Sequence, residues 1–176
     1  MAACTTTLPL TTLSQLFGEH HRRVLRAAYR ITGSMADAED VTQAVFLRLA
    51  SANGPVANAG SYLYRAAING ALDLLRRRKT AQIEPLEYAA NVATAGPGSS
   101  PEDEVSSREL GALLRLAIGE LPPRAGEMFI LRYVEEHGNR EIAALMGTSR
   151  AVVAVTLHNA RSRLKKRLSE LERGKR

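Results

Sequence analysis

Three observations predict an all-α fold of two small helical domains joined by a flexible linker, the C-terminal one a helix-turn-helix. Apolar residues recur at three- and four-residue steps in one segment after another, the spacing of helices with one buried face. The 45% apolar content of the 176 residues is carried mostly by Ala, Leu and Val, aromatics make up 5%, and tryptophan is absent, which suits small helical bundles. A stretch rich in Gly, Pro and Ser, Gly96-Pro97-Gly98-Ser99-Ser100-Pro101, separates two helical groups. The expected organisation is a first domain over residues 10–79, an acidic linker over 80–103 and a second domain over 104–170.

Residues 1–10 read as a frayed tail. The first helix starts at Thr11 or Thr12, either of which is a suitable cap, and runs to about Ile31 with Leu13, Leu16, Phe17, Val24, Leu25 and Ala28 on its apolar face. Thr32-Gly33-Ser34 ends it. Ser34 caps the next helix, and Asp37, three residues on, is placed to complete an acidic variant of the capping box. That helix continues to about Ala52 with Ala38, Val41, Val45 and Leu49 inward and Phe46 on the shoulder. Asp37, Glu39 and Asp40 lie in its first turns, where the helix dipole favours negative charge.

Asn53-Gly54-Pro55 is a loop. A third helix, Ala59 to Arg78, carries Tyr62, Leu63, Ala66, Ala67, Leu72 and Leu75, more apolar surface than one face needs, so it is expected at the centre of the first domain. It ends in the basic run Arg76-Arg77-Arg78-Lys79. After the linker, Val105, Leu110, Leu113, Leu114 and Ala117 form a fourth helix, broken by Leu121-Pro122-Pro123. Pro123 suits the first turn of the fifth helix, Arg124 to Tyr133, because an early helical position needs no bonded amide hydrogen.

The last segment is Glu141 to Met146, a break at Gly147-Thr148-Ser149, and a basic helix from Arg150 to Leu168. Val152, Val153, Leu157 and Leu164 are expected inside, and Arg161, Arg163, Lys165, Lys166 and Arg167 outside. A helix-turn-helix needs a small residue in its first helix, a sharp turn, and apolar residues locking the second helix across the first. Ala143, Gly147, and the group Ile142, Leu145, Val153 and Leu157 supply them. Ser149 caps the second helix, whose early residues would face a DNA major groove. The candidate readers are Ser149, Arg150, Ala151, Val152, Ala154, Val155, Thr156, His158, Asn159, Arg161 and Arg163. Arginine pairs with guanine through two hydrogen bonds, whereas the cations further along suit backbone phosphates.

Charge follows the same division. The net charge is +6, with ten Lys/Arg against five Asp/Glu in residues 1–79, two against seven in 80–120, and twelve against six in 121–176. Two basic modules flanking an acidic centre favour a polyanionic partner. Cys4 is the only cysteine, so no disulfide within the chain and no cysteine cluster for zinc is possible. His20, His21, His137 and His158 have no metal-ligand spacing. No cofactor or metal is expected, and no catalytic residue stands out. His20 or His21 with Asp37 or Asp40 lacks a nucleophile and an oxyanion site. No signal peptide or uninterrupted apolar span of membrane length is present, so the expected location is the cytoplasm, with no membrane insertion.

Beyond these readings, the chain resembles the extracytoplasmic-function group of bacterial RNA polymerase sigma factors over most of residues 12–79 and 104–168. The segment Ile31 to Leu49 is similar to the family's signature for binding the clamp coiled coil of core polymerase. The resemblance implies that Asp37, Glu39, Asp40, Gln43, Phe46 and Arg48 take part in docking. Ser61 to Lys79 resembles the segment that melts the promoter and holds the −10 element. It implies −10 contacts from Tyr62, Tyr64, Arg65, Asn69, Asp73, Arg76, Arg77, Arg78 and Lys79. Aromatics with cations suit single-stranded DNA, where bases stack and phosphates are neutralised. Leu121 to Leu168 resembles the domain that recognises the duplex −35 element. Many members carry Lys and Arg where this chain has Ala154 and Thr156, and the loop Gly138-Asn139-Arg140 lacks their common aromatic.

The implied function is promoter-specific transcription initiation without covalent chemistry. The implied partners are core RNA polymerase, through its beta' clamp and beta subunits, promoter DNA, duplex at −35 and single-stranded at −10, and an anti-sigma factor. The alternative is a stand-alone helix-turn-helix regulator, which accounts for the C-terminal module but not for residues 31–49 or the basic run at 76–79.

Overall fold

A computed structural model describes residues 10–51, 58–80 and 101–173, all of whose regular structure is helical. Among the described residues there are seven helices, α1 (Leu10–Thr32), α2 (Met35–Ala50), α3 (Ala59–Thr80), α4 (Pro101–Gly119), α5 (Pro123–Tyr133), α6 (Asn139–Met146) and α7 (Arg150–Arg173). Residues 1–9 of the expected N-terminal tail, the loop at Asn53-Gly54-Pro55 and residues 81–100 of the expected linker lie outside the described residues, while Leu10 begins α1, ahead of the expected caps Thr11 and Thr12. Residues 101–103, assigned to the linker from sequence, begin α4.

The helix ends follow from local chemistry. Gly33 adopts φ 71° between α1 and α2, and its amide donates to the Tyr29 carbonyl at 2.7 Å. Ser34 caps α2, its hydroxyl accepting from the Asp37 amide at 3.4 Å. The reciprocal half of the expected box is absent. The Ser34 amide donates to Thr32 Oγ1 at 3.4 Å, and the Asp37 carboxylate is held by Arg78. A cation from α3 outcompetes a neutral amide for that carboxylate. Pro123 opens α5.

Two apolar clusters organise the helices. In the first, Val24 and Ala28 of α1, Val41, Val45 and Leu49 of α2, and Leu63 and Ala67 of α3 are buried together, with Phe46 only 6% exposed beside them. The second joins Ala27 and Ile31 of α1 and Tyr64, Ile68, Leu72 and Leu75 of α3 to Ala117, Leu121, Met128, Leu131, Ile142, Val153 and Leu157 from α4 to α7. α3 therefore lies between two cores, which is why it carries more apolar surface than one face requires. The two sequence-defined modules touch through it. Gly119 and Gly126 permit this approach: a Cβ on Gly119 would stand 3.3 Å from Leu75 Cβ, and one on Gly126 3.4 Å from Leu72 Cδ1.

The expected fourth helix is present as α4, and its apolar residues divide between core and surface. Leu113 and Ala117 are buried, but Leu110 and Leu114 are exposed at 53% and 36%. α4 turns its buried stripe, Leu113, Ala117 and Ile118, toward α3 and α7, with buried Leu121 in the connection after it, and that stripe excludes Leu110 and Leu114.

Candidate polymerase and nucleic-acid interfaces

α6 and α7 form the helix-turn-helix. The Gly138 amide donates to the Glu141 carboxylate at 2.7 Å at the start of α6. Gly147 ends it in the left-handed region at φ 59°, which a residue without a Cβ adopts freely. The Thr148 amide then closes on the Ala143 carbonyl at 2.9 Å, a C-terminal arrangement that turns the chain sharply. Ser149 Oγ accepts from the Val152 amide at 3.2 Å, so the expected cap on α7 is present. Ile142, Ala143, Val153 and Leu157 are buried between the helices, and Leu145 packs partly buried against them.

α7 buries Val153, Leu157, Ala160 and Leu164 along one face. Val152, expected inside, is instead 47% exposed, and Val155 is 60% exposed. Val152 precedes Val153, the centre of the buried stripe, by one residue, and a 100° step carries it off that face. Ser149, Arg150, Ala151, Ala154, His158, Asn159, Arg161 and Arg163 are exposed, and Thr156 is half-buried. Arg167 is committed within the protein. It donates to Glu120 at 2.9 Å and to Glu170 at 3.3 Å, and the Glu120 contact holds its guanidinium above its ordinary pKa. It ties α7 to the end of α4 rather than standing ready for a phosphate.

The α2 residues divide. Asp37 is 7% exposed and paired with Arg78, so it supports the helix from within and presents nothing to a partner. Glu39, Asp40, Gln43 and Arg48 are exposed. Gln43 and Phe46 line an open groove of about 500 Å³ between α1 and α2 with Leu13, Ser14, Phe17, Leu47 and Ala50. Asp40 and Arg48 line a different, charged groove shared with Asp73, Arg77 and Arg78 of α3. The sequence reading missed Leu13, Phe17 and Leu47. The available signal was Leu47, an apolar residue two positions after Val45 and two before Leu49, hence off their buried stripe.

The α3 residues divide as well. Tyr62, Asn69 and Arg65 are partly buried, and Asp73 and Arg77 are exposed. Asp73 pairs with Arg76 at 2.6 Å, and Arg76 also reaches the Leu121 carbonyl at 3.5 Å. The side chain of Lys79 lies outside the described residues. Tyr64 is 3% exposed. Its hydroxyl donates to Glu135 Oε2 at 2.7 Å, and the Arg23 guanidinium sits 4.3 Å from its ring centroid. Burial first, then the hydrogen bond to Glu135, push the phenol well above its ordinary range. Arg65 grips Glu127 at 2.6 and 3.4 Å and the Leu145 carbonyl at 3.0 Å. In this arrangement the Tyr64 hydroxyl and the Arg65 guanidinium are both engaged within the protein. Among the described residues, no group of three His, Cys, Asp or Glu side chains is placed to hold a metal ion.

The description "Sigma-70 region 2" matches residues 16–81, α1 to α3, and "Sigma-70, region 4" matches residues 111–164, from within α4 into α7. An RNA polymerase sigma factor, CarQ of Myxococcus xanthus, is 32% identical, the match spanning 89% of each chain. The chain belongs to the extracytoplasmic-function group of the sigma-70 family. The ECF sigma factor SigE of Mycolicibacterium smegmatis is 33% identical over 89% of this chain and 61% of its own length, so the chain spans less than two thirds of that relative. SigW of Bacillus subtilis is 28% identical over 85% of this chain and 84% of its own. A solved structure of Mycobacterium tuberculosis SigJ aligns over 89% of this chain and 53% of its own at 20% identity, with a TM-score of 0.43. Within this sigma factor, the polymerase-docking candidates Gln43 and Phe46 and the −10 candidates on α3 fall in region 2, and the exposed face of α7 falls in region 4.

Proposed function

We propose that this chain is a transcription initiation factor that performs no covalent chemistry. It joins core RNA polymerase through the α1–α2 groove and the exposed acids of α2, reads duplex −35 DNA with the first turns of α7, and helps hold melted −10 DNA with the surface of α3. The observation that carries this reading is the presence of both regions, in order, in one chain. A stand-alone regulator needs only the second. Leu13, Phe17, Phe46 and Leu47 give the polymerase an apolar seat in the groove that Gln43 also lines, and Glu39 and Asp40 give it an acidic flank. The cap end of α7 is exposed at Ser149 and Arg150, and exposed Arg161 and Arg163 follow about three turns along, as a helix lying in a polyanionic groove requires.

An anti-sigma partner and a cytoplasmic location, where polymerase and promoters meet, belong to the same proposal. No helix among the described residues is long and apolar enough to cross a membrane. The test is run-off transcription with purified core polymerase on genomic promoter fragments. Discrete transcripts that depend on adding this chain are expected. DNA binding without polymerase-dependent starts would sink the proposal in favour of the stand-alone regulator.

A further inference from the structure

Over its first two turns the outward face of α7 is apolar where a reading helix is ordinarily polar. Ala151 and Val155 are four residues apart and share the face opposite Val153 and Leu157, with Val152 beside them; all three are exposed. One turn beyond Val155 stand exposed His158 and Asn159, and exposed Ser162 follows on the same face. The cations occupy the flanks. Arg161 and Arg163 are two residues apart and so point to opposite sides of the strip, and Arg150 falls on the Arg161 side. Among the described residues no ion pair engages Arg150, Arg161 or Arg163. A helix with cations on both flanks fits between two phosphate backbones and presents its central strip to base edges. At the centre of this strip there is no arginine to take guanine. Exposed methyl groups there fit the 5-methyl of thymine, and an Asn amide fits adenine N6 and N7.

We propose that this chain reads A·T pairs in its duplex element through thymine methyl groups, with Val155, Val152 and Ala151 as specificity-determining side chains and Asn159 on the adenine. This rests on the function proposed above. The holoenzyme, formed from the full chain and core polymerase, is used to select from duplexes carrying a randomised window upstream of a fixed −10 region. The selected element is then resynthesised with single thymines replaced by deoxyuridine, which removes only the methyl. One or more replacements weaken binding roughly fourfold each. In Val155→Ala or Val152→Ala the methyl dependence at the matching thymine shrinks, since one methyl remains, and the change is read as the coupling term of a double-mutant cycle. A selected element with no methyl-sensitive thymine, or methyl sensitivity unchanged in both variants, overturns the inference and leaves the sigma-factor function standing. Failure to enrich any sequence overturns both.

Discussion

Leu47→Asp is expected to weaken association with core RNA polymerase by at least about a hundredfold, the scale of an interface hot spot, while leaving the chain folded. Leu47 is 68% exposed, so the free protein draws little stability from it. Substitutions at such positions ordinarily change stability by no more than about 0.5 kcal/mol. In a docked complex the same side chain lies on the groove lined by Leu13, Phe17, Phe46 and Ala50. A carboxylate there loses its water and finds no cation on the groove wall, a cost of several kcal/mol. Competition with another sigma factor for core polymerase measures the first effect, and thermal melting of the free chain the second. Phe46 is a poorer choice. It is 6% exposed, with its ring 4.9 Å from that of Phe17, so removing it mixes lost docking with lost packing. Undiminished association of Leu47→Asp would remove this groove from the docking surface.

The helix-turn-helix was legible in the sequence because its determinants are local. Gly147 is needed for a left-handed residue, Ser149 for a cap, and Val153 and Leu157 for an inward stripe, and each acts within a few residues of itself. The side of α7 on which Val152 falls was misread because adjacent valines look alike until the stripe's centre is fixed by packing against α6. Asp37 was legible as the residue in a capping position, but not as the partner of Arg78, which is 41 residues away. The commitments of Tyr64 to Glu135 and of Arg65 to Glu127, 71 and 62 residues apart, were equally invisible. No periodicity encodes such pairs. The surplus apolar surface of α3 did hint at them, since a helix with two buried faces must have neighbours on both sides. Sequence reasoning gave it those neighbours within one module, whereas the second face packs on the other module.

That second face yields the largest expected change in stability. Leu72→Ala is expected to destabilise the chain by about 2–5 kcal/mol, the range for deleting a buried leucine where the surroundings cannot fully collapse. Leu72 is 0% exposed, and Gly126 of α5 lies close enough to it that an added Cβ would touch its δ-methyls. Relaxation into the void is limited on both sides. α3 is held to α5 by the Arg65–Glu127 pair and to the start of the α4–α5 connection by Arg76 on the Leu121 carbonyl. Leu49→Ala supplies the comparison. Leu49 is equally buried, but in the cluster formed by α1, α2 and α3 alone. If the modules are coupled through α3, Leu72→Ala lowers the midpoint of the whole chain in denaturant and leaves a single transition. If they melt independently, it splits the curve, and hydrogen exchange then finds α6 and α7 losing protection while α2 keeps it. A loss below about 1 kcal/mol would mean that Leu72 is not packed between the modules, because a leucine with one side in water costs little to truncate.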